Sequence, residues 1–209
     1  MRSALSAFSA FQIFWSEACL LHLLFAQEKE HFASVNPGLR AIARHNLAVL
    51  CREQGRDGEA ESHWLAVVAE DQDRSRSERG TFGERAALEH LPCWVGLGEL
   101  YLSQQRWGEL DDVLAWLDAD KSAAMDAGVL RARELMALGR PAAARDLLED
   151  LIRREPNGLL PRVVLSHVLL KENRDPAAAE QALEGILAIC PQHAEAQHNL
   201  AVLRRVTSC

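Results

Sequence analysis

The chain has 209 residues, of which 48% are hydrophobic and 25% charged, and it carries a formal net charge of −7. An acidic surplus without a basic stripe interleaved with aromatics argues against a nucleic-acid partner, because phosphate binding needs clustered Lys and Arg. Only seven prolines, with abundant Ala, Leu, Glu and Arg, predict an all-helical, well-packed chain of one or two domains or one elongated array. The five cysteines, Cys19, Cys51, Cys93, Cys190 and Cys209, are odd in number and dispersed, a pattern of reduced thiols in the cytoplasm. No uninterrupted apolar run is long enough for a membrane span.

Residues 4–31 keep a helical apolar stripe through Leu5, Phe8, Phe11, Phe14 or Trp15, Ala18, Leu21 and Phe25, and Gln27–Glu30 make a solvated end. Two readings stay open for residues 1–26: a packed half-repeat, or a weak signal segment with Arg2 as its basic region. Asn36-Pro37-Gly38 breaks the chain, and a helix is predicted from about Leu39 to Glu53, closed by Gly55. The next helix runs from about Gly58 to Ala69 with Trp64 inward. Glu70–Gly83 mixes charges of both signs with two glycines and predicts a frayed helix end and a loop.

The hexapeptide His45-Asn46-Leu47-Ala48-Val49-Leu50 returns as His198-Asn199-Leu200-Ala201-Val202-Leu203, which points to an internal repeat. Trp94-x-x-Leu97-Gly98-x-x-Tyr101 fixes its register from Leu91. Later repeats start at Met125 and Leu159, each 34 residues after the last, and at Ala194 after 35. An earlier repeat starts at Ala41, 50 residues before Leu91, so the surplus falls on the charged segment. The predicted organisation is an N-terminal helix or half-repeat and connection over 1–40 and repeats over 41–74, 91–124, 125–158 and 159–193. An insertion loop occupies 75–90 and a terminal half-repeat 194–209. Small residues at Ala48, Gly98, Ala132, Ser166 and Ala201, with Ala60, Ala144 and Ala179, are expected to allow close helix approach. Large residues such as Trp64, Tyr101, Leu148 and Leu183 are expected to fill the seams between repeats.

This pattern resembles the tetratricopeptide (TPR) repeat over residues 41–206. The resemblance implies an all-α, right-handed solenoid of antiparallel helix pairs, whose first helices line a concave groove that binds a peptide or a partner protein. Projected onto this register, the groove-binding candidates are His45, Asn46, Arg52, Glu99, Arg133, His167, Lys171, His198, Asn199 and Arg205, with Ser103 and Met136 beside them. The carboxylate clamp of chaperone-binding members is absent, since its places hold His45, Val49, Gly96, Asp126 and Leu130.

A narrower resemblance rests on residues the repeat does not dictate, among them His31–Val35, Gly38-Leu39-Arg40, Arg44–Leu50, Trp94–Leu102, Val163–His167 and His193–Leu203. These are similar to the repeat region attached to bacterial family 2 glycosyltransferases. The alternative function is thus an acceptor-presenting portion of such an enzyme, with the transferase domain or its acceptor as partner. No alternation of strands and helices that would encode a transferase domain occurs in this chain.

No catalytic constellation emerges. Asp118-Ala119-Asp120 falls at a predicted turn between repeats, and Asp111 and Asp112 diverge around a helix. The pairs Cys19/His22, His90/Cys93 and Cys190/His193 are each half a zinc site, and Ser166-His167 point apart on a helix. Non-enzymatic binding without metal or cofactor is the expectation.

Overall fold

The computed structural model describes residues 37–77 and 84–207. Residues 1–36 of the N-terminal helix or half-repeat predicted over 1–40, the Cys19/His22 pair and Cys209 lie outside them. The described residues are all-helical: α1 (Pro37–Glu53), α2 (Asp57–Ser77), α3 (Glu84–Gln104), α4 (Trp107–Ala119), a short 3-10 turn (Lys121–Ala123), α5 (Ala124–Ala137), α6 (Pro141–Arg154), α7 (Leu159–Glu172), α8 (Pro176–Ile189) and α9 (Ala194–Thr207). They form two compact units, the first ending at Ala123 and the second starting at Ala124. In unit 1, α1 pairs with α2 and α3 with α4, while α3 also packs on both α1 and α2. In unit 2, α5 pairs with α6 and α7 with α8. There α7 packs on α5 and α6, and α9 packs on α8. Within each unit these are TPR-like helix pairs, stacked one on the next through a first helix.

The turns inside the pairs follow one design. Gly55, Gln105, Gly139 and Asn173 each adopt a left-handed backbone, with φ of 76°, 58°, 73° and 49°. In the first three turns two backbone bonds close the helix. Gly55 N donates to Arg52 O and Arg56 N to Cys51 O. The same pattern recurs at Gln105/Arg106 and at Gly139/Arg140. This Schellman geometry satisfies carbonyls that the helix end would otherwise leave open, and glycine is the residue that enters it without steric cost. The fourth turn has one extra residue. Asn173 N instead donates singly to Leu169 O, and the added length lets the Asp175 carboxylate cap α8 by accepting from Ala178 N at 2.9 Å. The 35-residue spacing of that repeat therefore has a local cause.

The packing places follow the register. Ala48, Ala60, Gly98, Ala132, Ala144, Ser166 and Ala179 are buried, as are Trp64, Tyr101, Leu148 and Leu183. Ala201 departs from the expectation and is exposed. It holds the place of Ala48, but no second helix follows α9 among the described residues to cover it. The segment expected to be a loop over 75–90 also differs, because α2 continues to Ser77 and α3 already begins at Glu84. Glu, Gln and Arg, which recur in this stretch, are good helix formers. Mixed charge was thus a poor marker of a loop. Residues 78–83, with Gly80 and Gly83, lie outside the described part.

The seam between repeats in unit 1 is a matched large–small pair. Trp64 from α2 is fully buried, and its indole lies over Gly96 of α3. A Cβ added to Gly96 would fall 2.5 Å from the indole Cε2. The equivalent places in unit 2 hold Leu148 and Val164, buried in one cluster. Bulk has moved from one side of the seam to the other at roughly conserved volume.

Two predictions follow from these geometries. Helix propensity alone would make Gly96→Ala stabilising by about 1 kcal/mol, whereas the indole contact makes it destabilising by about 1–3 kcal/mol. Trp64→Leu/Gly96→Val should recover part of that loss in denaturant melts. Equal losses in the single and double variants would refute the pairing. At the turns, Gln105→Gly should stabilise by about 1 kcal/mol and Gly139→Ala should destabilise by a similar amount; thermal melts showing neither would contradict the left-handed assignment.

Candidate functional site

The candidate binding residues all lie on first helices: α1 and α3 in unit 1, and α5, α7 and α9 in unit 2. In unit 1 the structure turns most of them inward. The His45 ring lies against Trp64 with centroids 6.3 Å apart, and its Nδ1 accepts the indole N–H at 3.2 Å. Burial lowers the pKa of His45 to about 4, so it is neutral, as its acceptor role requires. Arg52 Nη2 donates to the backbone carbonyl of Glu99 at 3.2 Å and so ties α1 to α3. Asn46 and Glu99 are half-buried and already engaged. Ser103 bonds back to the carbonyl of Leu100. In this unit the candidates serve largely to join one helix to the next.

A second polar network in unit 1 escaped the sequence reading. Arg56, Arg106, Arg140 and Arg174 each follow the left-handed residue of a turn, so an arginine recurs with the repeat. Arg106 contacts Glu61 at 2.9 Å and Glu109 at 2.9 Å, and its guanidinium sits 4.4 Å from the Tyr101 ring centroid. Burial, followed by the nearby Glu61, pushes Tyr101 up to about 12. Arg56 pairs with Glu59 in the same local manner. The recurrence of arginine at the 34-residue period was the available signal.

Unit 2 presents part of its candidates outward. His167 Nε2 and Glu195 Oε1 stand 3.0 Å apart and link α7 to α9. Glu195 was not among the sequence candidates. Lys171 lies one turn beyond His167 and is exposed, as are His198 and Arg205. Asn199 is half-buried in the crevice where His167 and Glu195 meet, and that crevice has no room for a small molecule. Arg133 is half-buried and engaged, and Met136 packs against the core. Asp126, early in α5, has its carboxyl pKa raised by burial.

Apolar side chains accompany these groups. Leu160 on α7 is 37% exposed, and Val202 and Val206 on α9 are 44% and 72% exposed. Leu160, His167 and Lys171 are spaced i, i+7, i+11 and therefore share one face of α7. Glu195, Val202 and Val206 repeat that spacing on α9. In unit 1, Ile42 at the corresponding place of α1 is 50% exposed. The arrangement is an amphipathic surface suited to another chain.

The residues weighed for chemistry have local structural roles. Asp120 ends α4 in a turn, where its carboxylate accepts from the N–H and hydroxyl of Ser122 at 2.8 and 2.7 Å. Asp111 and Asp112 are both exposed on α4. Ser166 is buried and donates to the carbonyl of Val163. His90 and Cys93 are buried on α3, and His193 Nδ1 accepts from Ala196 N to cap α9. Among the described residues no three His, Cys, Asp or Glu side chains converge in a manner that could hold a metal ion, and no helix is long and apolar enough to cross a membrane.

Burial of His45 has a testable consequence. Its folded pKa lies below the unfolded value of 6.5, so the unfolded chain takes up a proton first as the pH falls. The His45 contribution to stability is full above pH 6.5 and is lost as the pH drops toward 4, by at most about 3 kcal/mol. His63, whose pKa is also lowered by burial and by Arg44, adds to the same trend. Denaturant melts of His45→Gln should show a shallower pH dependence over this window. An unchanged slope would contradict the buried neutral state.

No family model and no curated protein matches the sequence. Among solved structures, the chain is similar to the crystal structure of YrrB, described as a TPR protein with an unusual peptide-binding site. The two are 18% identical, over 80% of this chain and 78% of that one, with a TM-score of 0.41. The TPR-like assignment rests on the helix pairs, their common turn and their 34-residue period.

Proposed function

We propose that the chain is a non-catalytic interaction module that holds a peptide or partner protein on the faces of its first helices. The observation that carries this reading is the surface of α7 and α9, where exposed Leu160, Val202 and Val206 alternate with polar groups at one helical spacing. Apolar side chains left in water on such a stripe are what an incoming chain covers, and the polar neighbours set its orientation. The helices underneath are held by buried clusters around Leu148, Val164, Leu183 and Leu200, so the surface is preformed. Nothing among the described residues adds to the resemblance to glycosyltransferase-associated repeats.

The test is selection of peptides from a random display library on the full chain. Peptides recovered should lose binding to Val202→Asp and Leu160→Asp. Leu65→Asp, at an exposed place on the second helix α2, should leave them unaffected. Loss of binding in Leu65→Asp alone, with the first-helix variants intact, would contradict the proposal.

A further inference from the structure

The charges of α7 and α9 are unevenly spent. Glu172 is paired with Arg145 of α6, and Glu195 is bonded to His167. Arg204 is held by Glu180 at 2.6 Å and Glu184 at 2.6 Å on α8. Both carboxylates of these two first helices are therefore engaged inside the unit. Lys171 and Arg205 are exposed and have no ion-pair partner among the described residues.

These two cations stand in the last turns of adjacent first helices. Lys171 shares its face with Leu160 and His167, and Arg205 flanks the stripe that carries Val202 and Val206. A positive charge at a helix C-terminus also interacts favourably with the helix dipole, which accounts for basic residues there in general. It does not account for exposed valines beside them.

We infer that unit 2 selects an acidic segment of a partner protein, in which carboxylates alternate with large apolar side chains. The carboxylates meet Lys171 and Arg205, and the apolar side chains cover Val202, Val206 and Leu160. This rests on reading the first-helix face as the binding surface and assigns the chemistry of its ligand. The His167–Glu195 bond ties α7 to α9, so the two helices that carry the cations need not rearrange to present them. Complementary charge of this kind governs the rate and choice of partner more than the ultimate affinity, and salt weakens it.

The experiment uses the full chain and three fluorescein-labelled dodecapeptides, alternating Leu with Glu, Gln or Lys, read by fluorescence anisotropy. The Glu peptide is expected to bind best and to weaken with added salt. Its affinity should fall about tenfold in K171E/R205E, the sum of two exposed charge contacts turned repulsive. K171Q/R205Q, in which the charge is only removed, should show a smaller loss. R153E/R154E on α6 changes net charge equally and should leave binding unchanged, which excludes a non-specific field effect.

Preference for the Gln or Lys peptide overturns the inference, as does Glu-peptide binding that is indifferent to K171E/R205E or equally weakened by R153E/R154E. So does failure of the Glu peptide to bind, or chain binding to phosphatidylserine vesicles that displaces it. If display-selected peptides still depend on Val202 and Leu160 in those cases, the first-helix reading stands and only the acidic chemistry falls. Loss of that dependence too defeats the first-helix reading itself.

Discussion

Close approach between helices of successive repeats is the constraint on which the rest depends. Two helices can approach closely only where one presents a small residue to the bulk of the other, and a mismatch by even a few atoms leaves a void or a clash. In unit 1 the seam is solved by a tryptophan over a glycine, and in unit 2 by leucine with valine. The left-handed turn returns each second helix onto its first, so that the same faces meet at each seam within a unit. With the backs of the helices committed to these seams, the outer face of each first helix is the part left to vary.

That division explains why most of the architecture was legible in the sequence. Packing places recur at 34 residues because each must satisfy the same contact. Ala48, Ala132, Ala144 and Ala179 are therefore identifiable from the sequence alone. The failures are instructive. Ala201 carries the packing residue type but is exposed, with no second helix after α9 among the described residues to cover it. The charged stretch after Ala69 reads as a loop by composition, yet its Glu, Gln and Arg residues propagate α2 to Ser77. Periodicity reports what a residue would pack against, whereas the presence of the partner is a fact of the tertiary structure.

The candidate site was less legible, because the register states which way a residue faces and not whether its polar groups are already used. His45 and His198 occupy the same place in two copies of one hexapeptide, yet His45 is a neutral acceptor under Trp64 and His198 is exposed. The difference lies in the presence of Trp64, nineteen residues further on. Arg52 likewise reads as a free cation and instead holds the carbonyl of Glu99. Distinguishing a ligand-facing charge from one engaged in the fold requires the neighbouring helix, and that information is non-local.

The central claim is that first-helix faces, above all those of α7 and α9, receive a partner chain. The most direct measurement is amide hydrogen exchange of the full chain with and without a display-selected peptide. The account predicts that added protection concentrates in α7 and α9, with α6 and α8 changing least. Protection gained mainly in α6 and α8, with α7 and α9 unchanged, would contradict it.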